Sequence, residues 1–464
     1  MFTQLLILLL LLLPSILLLT HHLRTSHHPQ TRPKTAIVLV LGDVGRSPRM
    51  MYHARSLVKN GYKVWLVGYR GTPPLKFLEE SEDVVVRYIP PPPEFLERVR
   101  LPFLVKGPAK VIYQVVGMIK ILSRYPERLG AEYILIQNPP SIPTLLLAQL
   151  ASFIRGSKLI IDWHNTGYSI LALKLGNGHP LVKIARWFEK TFGRKAFAHL
   201  FVTDAMKMTL SKNWALEGQK VVLHDRPPQH FRQSTPAEIH ELFERLIPTL
   251  SPPLLTSLNQ TDLFSTQDPV THQIALRADR PALVVSSTSW TPDEDFTVLI
   301  SALDTYERLR TSLSRPPTAP RPHLRKRRTP PLVVPRHPME DYPVFLGSAD
   351  LGVSLHSSSS GLDLPMKVVD LFGCGVPVLA RNFQCLGELV MDGENGRIFN
   401  TSADLAHQLA DTLQGFPEAP KLQALRAYCT ALRGRSEEPT GRRWGSWDQQ
   451  WAEVVKPVLE KKDL

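Results

Sequence analysis

The sequence predicts an α/β protein of two doubly wound domains behind one N-terminal transmembrane helix. Three observations predict it. Short aliphatic runs alternate with helical periodicity in both halves of the chain, the rhythm of parallel sheets. At 464 residues the chain exceeds what one hydrophobic core usually organises. The chain also opens on an uncharged, leucine-rich stretch, Met1 to Thr20, about as long as a bilayer core is thick. With 43% hydrophobic and 21% charged residues it has the balance of a globular protein rather than a disordered one.

Residues 1–22 read as an anchor. A cleavable signal would carry basic residues before the apolar run and small residues at its end. Here the basic residues follow, at Arg24, Arg32 and Lys34, which leaves the bulk of the chain on the cytosolic side. Cys374, Cys385 and Cys429 form neither a disulfide framework nor a metal-ligand spacing, and they read as buried thiols. On this topology Asn259-Gln260-Thr261 and Asn400-Thr401-Ser402 are chance glycosylation sequences.

The first domain, residues 35–230, begins with the aliphatic run Ala36 to Leu41, a turn at Gly42-Asp43-Val44-Gly45-Arg46-Ser47, and a helix over Met50 to Asn60. Gly61 ends that helix, and strands follow at Tyr62 to Val67 and Val84 to Ile89. Tyr133 to Ile136 before Gln137-Asn138-Pro139-Pro140, and Lys158 to Asp162 before Trp163-His164-Asn165, are buried strands ending in polar or proline residues. In open α/β sheets the ligand crevice lies at those carboxyl ends, so these two loops join the Gly42 turn as candidate lining. Helices over Val182 to Phe192 and Ala205 to Trp214 complete the domain, and residues 250–280 read as a linker or insertion.

The second domain, residues 281–430, opens with the strand Ala282 to Val285 running into Ser286, Ser287 and Thr288, with a helix from Asp293 to about Leu309. Asp350 to His356 is a strand, Pro365 to Phe372 a helix after a Ser/Gly turn, and Val376 to Leu379 a strand; residues 431–464 form a C-terminal helical segment. Residues 311–338 break the rhythm, with eight prolines, seven basic residues and no acid. Proline at that density excludes a helix interior. The segment carries more than half of the net charge of +13 and reads as a solvated loop; without interleaved aromatic residues it gives no nucleic-acid partner.

Taken together, Leu41-Gly-Asp-Val-Gly-Arg-Ser-Pro-Arg-Met50, Gln137 to Pro140, Ile161 to Asn165 with Gly167-Tyr-Ser169, Ser286 to Thr291 and Ser358 to Asp370 resemble the chitobiosyldiphosphodolichol beta-mannosyltransferases. The resemblance implies a GT-B fold, two Rossmann-like domains facing a cleft, the first binding acceptor and the second donor. It implies GDP-mannose as donor, dolichyl diphosphate chitobiose as acceptor, and inverting transfer to a β-1,4 linkage. It also implies a single-pass protein of the endoplasmic reticulum membrane with cytosolic catalytic domains, working beside other lipid-linked oligosaccharide glycosyltransferases. Neither a cofactor nor a metal is fixed by it, and a divalent cation is left open.

Under that resemblance, Gly42, Gly45, Arg46 and Ser47 are candidates to cradle the lipid diphosphate at a helix start, with a plain tight turn as the alternative. Inverting transfer needs a base for the acceptor hydroxyl proton. His164 is the candidate, oriented by Asp162, with Asp43 in reserve. Trp163 and Trp290 are wall-packing rings or sugar-stacking ones. On the donor side Ser286, Ser287, Thr288, Ser360, Gly361 and Asp363 surround the nucleotide diphosphate; Lys367 neutralises it and Asp370 accepts from ribose hydroxyls. Related enzymes continue where Thr311 begins with a strand, a Gly-Lys-Gly-Pro phosphate loop, a helix and another strand, all absent here. A non-catalytic relative lacking part of the donor site is therefore the alternative reading.

Overall fold

The computed structural model describes residues 34–91, 93, 103–123, 131–228, 230–249, 263–287, 294–313, 341–433 and 446–461. The expected transmembrane segment and most of residues 311–338 lie outside them. Among the described residues no helix is long and apolar enough to cross a membrane. The chain divides into two compact units, residues 1–223 with 454–464, and residues 224–453.

In the first unit β1 (Thr35–Asp43) leads through a one-turn 3-10 helix, Val44–Arg46, into α1 (Pro48–Lys59) and β2 (Lys63–Tyr69). Then come α2 (Lys76–Glu80), β3 (Val84–Ile89), α3 (Phe103–Ser123), β4 (Tyr133–Asn138), α4 (Thr144–Arg155) and β5 (Lys158–Trp163). After α5 (Gly167–Leu175) and α6 (Pro180–Phe192) the unit closes with β6 (Lys195–Phe201), α7 (Asp204–Trp214) and β7 (Glu217–Val222). The strands form one parallel sheet in the order β3-β2-β1-β4-β5-β6-β7. The order reverses between β1 and β4, which makes their carboxyl ends the crevice of a doubly wound sheet. β1, β4 and β5 are unbroken aliphatic runs because both faces of such a sheet are covered.

The second unit begins with α8 (Pro236–Leu246), started by a reciprocal cap between Thr235 and Glu238. The expected linker is in part a small antiparallel hairpin, β8 (Ser265–Gln267) with β9 (Ile274–Leu276), anchored where Phe264 packs on Phe243 of α8. There follow β10 (Val284–Val285), α9 (Phe296–Leu313), α10 (Asp341–Gly347), β11 (Leu351–Ser354), α11 (Met366–Gly373), β12 (Val378–Arg381), β13 (Gly396–Phe399), α12 (Ser402–Thr412) and α13 (Pro420–Arg433). The sheet is parallel, β10-β11-β12-β13. One core carries Leu346, Val368, Leu371 and Phe372; a second carries Leu299, Ala302, Leu405 and Leu409, so helices cover both faces. Cys374, Cys385 and Cys429 are buried free thiols. Among the described residues β10 is an edge of this sheet.

Two expected boundaries shift. The first unit ends at Leu223 rather than near residue 230, and the C-terminal segment belongs to both units. After α14 (Trp447–Val454), α15 (Lys456–Glu460) returns to the first unit, where Tyr133 of β4 donates from Oη to the Leu459 carbonyl at 2.7 Å.

Candidate active site

At the end of β1 a register shift against β2 turns Asp43 towards the 70–73 loop. Its carboxylate accepts from Gly45 N at 3.1 Å, from Thr72 N at 3.0 and 3.1 Å and from Thr72 Oγ1 at 3.0 Å, with Arg46 Nε 3.6 Å away. Asp43 is therefore a staple for the turn, and its role as reserve base gives way to that geometry. Gly45 lies so close to the facing loop that a Cβ would meet Thr72 O at 2.3 Å; at Gly42 the nearest such atom is 3.5 Å away, so only Gly45 is required sterically. Ser47 Oγ donates to Asp43 O at 3.0 Å, while the Arg46 side chain stays 70% exposed.

The expected pairing of Asp162 with His164 is present: His164 Nε2 lies 2.8 Å from Asp162 Oδ2. The sequence reading missed the rest of the cluster. From α1, Arg49 donates Nε to Oδ2 at 2.8 Å and Nη2 to Oδ1 at 2.9 Å, a two-point fork, and His53 Nε2 lies 3.1 Å from Oδ2. Arg49, His53 and Asp162 are all buried, and His164 is 21% exposed. Burial alone would raise the Asp162 carboxyl; Arg49, followed by His164 and His53, outweighs it and holds the group well below the usual carboxylate range. Burial pushes the His53 imidazole down, against the pull of Asp162. A signal was legible: Arg49 and His53 stand four apart, one helical turn, on the face that also buries Met50, Ala54 and Leu57.

A second carboxylate ties the neighbouring loops together. Glu189 of α6, fully buried, accepts from Asn138 Nδ2 at 2.7 Å, from Gly167 N at 2.8 Å and from Tyr168 N at 3.1 Å. It thus joins the Asn138-Pro139-Pro140 loop to the start of α5, where an anion complements the free N–H groups and the helix dipole. Trp163 is a packing residue: it is fully buried, donates Nε1 to His199 Nδ1 at 3.1 Å and meets Trp214 edge-on.

In the second unit Ser286 and Ser287 follow β10; Thr288 and Trp290 lie outside the described residues. Ser287 Oγ is 3.2 Å from Tyr342 Oη, which stands 3.5 Å from Asp370 Oδ2. Burial, reinforced by the nearby Asp225 charge, lifts the Asp370 carboxyl to about 7. Lys367, one turn earlier on α11, donates to the buried Glu294 Oε1 at 2.7 Å, a partner the sequence did not disclose. Asp363 is held inside its own turn: Ser358 Oγ donates to it, Ser360 Oγ lies at 3.4 Å and His356 Nε2 at 3.5 Å. Gly361 takes the left-handed φ of +72° that this turn needs. No hydrogen bond or ion pair joins Asp363 to Lys367 or Asp370 among the described residues, so this block forms separate small groups, one around Asp363 and others along α11.

Residues 45–225 match the family model described as a glycosyl transferase 4-like domain. The chain is 39% identical over 466 residues to the chitobiosyldiphosphodolichol beta-mannosyltransferase of Mus musculus, covering 93% of this chain and 90% of the mouse protein. To the Homo sapiens protein of the same name it is also 39% identical, over 91% of this chain and 92% of the relative. Among solved structures, Anabaena HepE bound to UDP and glucose aligns with a TM-score of 0.55 at 14% identity, over 93% of this chain and all of HepE, a likeness of fold.

Proposed function

The chain belongs to the chitobiosyldiphosphodolichol beta-mannosyltransferase family, and from that premise we propose that it transfers mannose from GDP-mannose to dolichyl diphosphate chitobiose with inversion, forming a β-1,4 linkage. This is the first mannosylation in assembly of the lipid-linked oligosaccharide for N-glycosylation. The observation that carries the chemistry is the His164 imidazole held by the ionised Asp162 at the carboxyl end of β5. In the transfer an acceptor hydroxyl attacks the anomeric carbon of mannose from the face opposite the nucleotide. The bond from that carbon to the diphosphate oxygen breaks, and GDP leaves with its electron pair. His164 takes the hydroxyl proton, and Asp162 stabilises the imidazolium that forms. The leaving diphosphate needs positive charge rather than a proton. Lys367 supplies it, with Ser286 and Ser287 donating hydrogen bonds and Asp370 accepting from the ribose. The uncharged, leucine-rich run of residues 1–22, with basic residues following it, supports a location on the cytosolic face of the endoplasmic reticulum membrane.

The test is transfer of radiolabelled mannose from GDP-mannose to phytanyl diphosphate chitobiose by the full chain and by His164→Gln. The reading expects a product released by β-mannosidase and resistant to α-mannosidase, with kcat reduced about 10²- to 10⁴-fold in the variant. No transfer by the full chain, or an α-linked product, would overturn it.

A further inference from the structure

Asp162 is asked to hold more than its partner His164. Its Oδ2 receives Arg49 Nε at 2.8 Å, His53 Nε2 at 3.1 Å and His164 Nε2 at 2.8 Å, while Oδ1 receives the second arm of the Arg49 fork at 2.9 Å. An ionised carboxylate only accepts, so each ring nitrogen facing it carries a hydrogen. His53 and His164 are thus both protonated on Nε2, and a neutral His164 has its lone pair on Nδ1. Nδ1 of His164 has no hydrogen-bond partner among the described residues, and that side chain is the one member of the cluster with appreciable exposure. The carboxylate has no freedom to turn, because both its oxygens are fixed from α1.

We propose that Arg49 and His53 are positioning residues for the transfer: together they lock the Asp162 carboxylate so that it grips His164 by Nε2 and leaves Nδ1 as the proton-accepting atom. The inference rests on the reading of His164 as base. Each clamp residue has a distinct part. The Arg49 fork sets the plane of the carboxylate and keeps it ionised, since a buried carboxylate without a cation would take up a proton and become a donor. Buried and neutral, His53 fills the remaining approach to Oδ2 without adding a second full charge. The groups facing Asp162 are thus the Arg49 cation and the His53 imidazole from α1, and the His164 imidazole from the loop after β5.

The experiment uses the full chain in nanodiscs with Arg49→Gln, Arg49→Lys, His53→Gln and His164→Gln. It measures kcat, KM for GDP-mannose, and the ¹⁵N shifts of His164 in histidine-labelled protein, assigned by the His164 variant. Arg49→Gln is expected to lower kcat about 10²-fold and leave KM within about threefold. The His164 ring changes from a single Nε2-protonated tautomer to a mixture. His53→Gln loses about tenfold in kcat, because the fork remains. If Arg49→Gln fails to unfold cooperatively, Arg49→Lys carries the test: it keeps the charge, loses the fork, and is expected to mix the tautomers. Wild-type kcat and tautomer in the Arg49 and His53 variants, with His164→Gln inactive, would overturn the clamp. Full activity in His164→Gln would instead overturn the base on which the clamp rests.

Discussion

Glu189 offers the sharpest test of how the loops around the candidate site are held. Truncation by Glu189→Ala removes one acceptor from each of three donors, Asn138 Nδ2, Gly167 N and Tyr168 N. A buried donor left without a partner costs about 1–3 kcal/mol. Water entering the space vacated by the side chain satisfies part of that, so the lower end applies, about 3 kcal/mol for the three. For a unit of about 200 residues that corresponds to a fall in Tm of about 6–12 °C. Glu189→Gln keeps one oxygen but turns an NH₂ towards a backbone N–H, and is expected to cost about 1–2 kcal/mol. Burial raises the Glu189 carboxyl, outweighing the hydrogen bonds from Asn138 and Gly167 that favour its ionised form. A carboxyl raised in the folded state contributes stability that is full below its unfolded value and lost as pH rises through the folded one. The native chain should therefore gain on Glu189→Gln as pH falls towards the ordinary glutamate range. Thermal unfolding of both variants at several pH values, beside mannosyl transfer, is the assay. A Glu189→Ala protein melting within about 2 °C of the native one would refute the staple and the reasoning from burial behind it.

Two further outcomes follow from the described geometry. With the Asp370 carboxyl lifted to about 7, its ionised form accepts from the ribose only as pH rises through that value, so KM for GDP-mannose should fall about tenfold between about pH 6 and 8; Asp370→Asn should flatten the profile, and a flat profile in the native chain would sink the assignment. Gly45→Ala drives a Cβ against the Thr72 and Pro73 carbonyls and should destabilise by about 1–3 kcal/mol with weaker acceptor binding, while Gly42→Ala, whose Cβ would meet only the Val40 side chain at an ordinary 3.5 Å, should melt like the native chain.

The sequence made the strands of the first sheet legible because a doubly wound sheet buries both faces, leaving near-continuous aliphatic runs that end abruptly in polar residues. The same rule located the Asn138 and His164 loops at strand ends. It could not say that Asp43 turns away to Thr72, because a register shift in the strand decides that. Nor could it pair Lys367 with Glu294, which approach only after the helix containing Lys367 packs beside β10 and β11.

What the sequence by itself determined was the α/β class, the order of most strands and helices, and the short-range partnership of Asp162 with His164, two residues apart. Periodicity, turn chemistry and chain proximity are local, and they survive without a fold. Tertiary structure decided the long-range partners: Arg49 is 113 residues from Asp162, Glu189 is 51 from Asn138, and Leu459 is 326 from Tyr133. Each of these contacts places a polar or charged group beside its complement inside a buried core, where an unmet group is costly. Only the packing of α1, α6 and the C-terminal helix onto one sheet brings those complements within hydrogen-bonding reach.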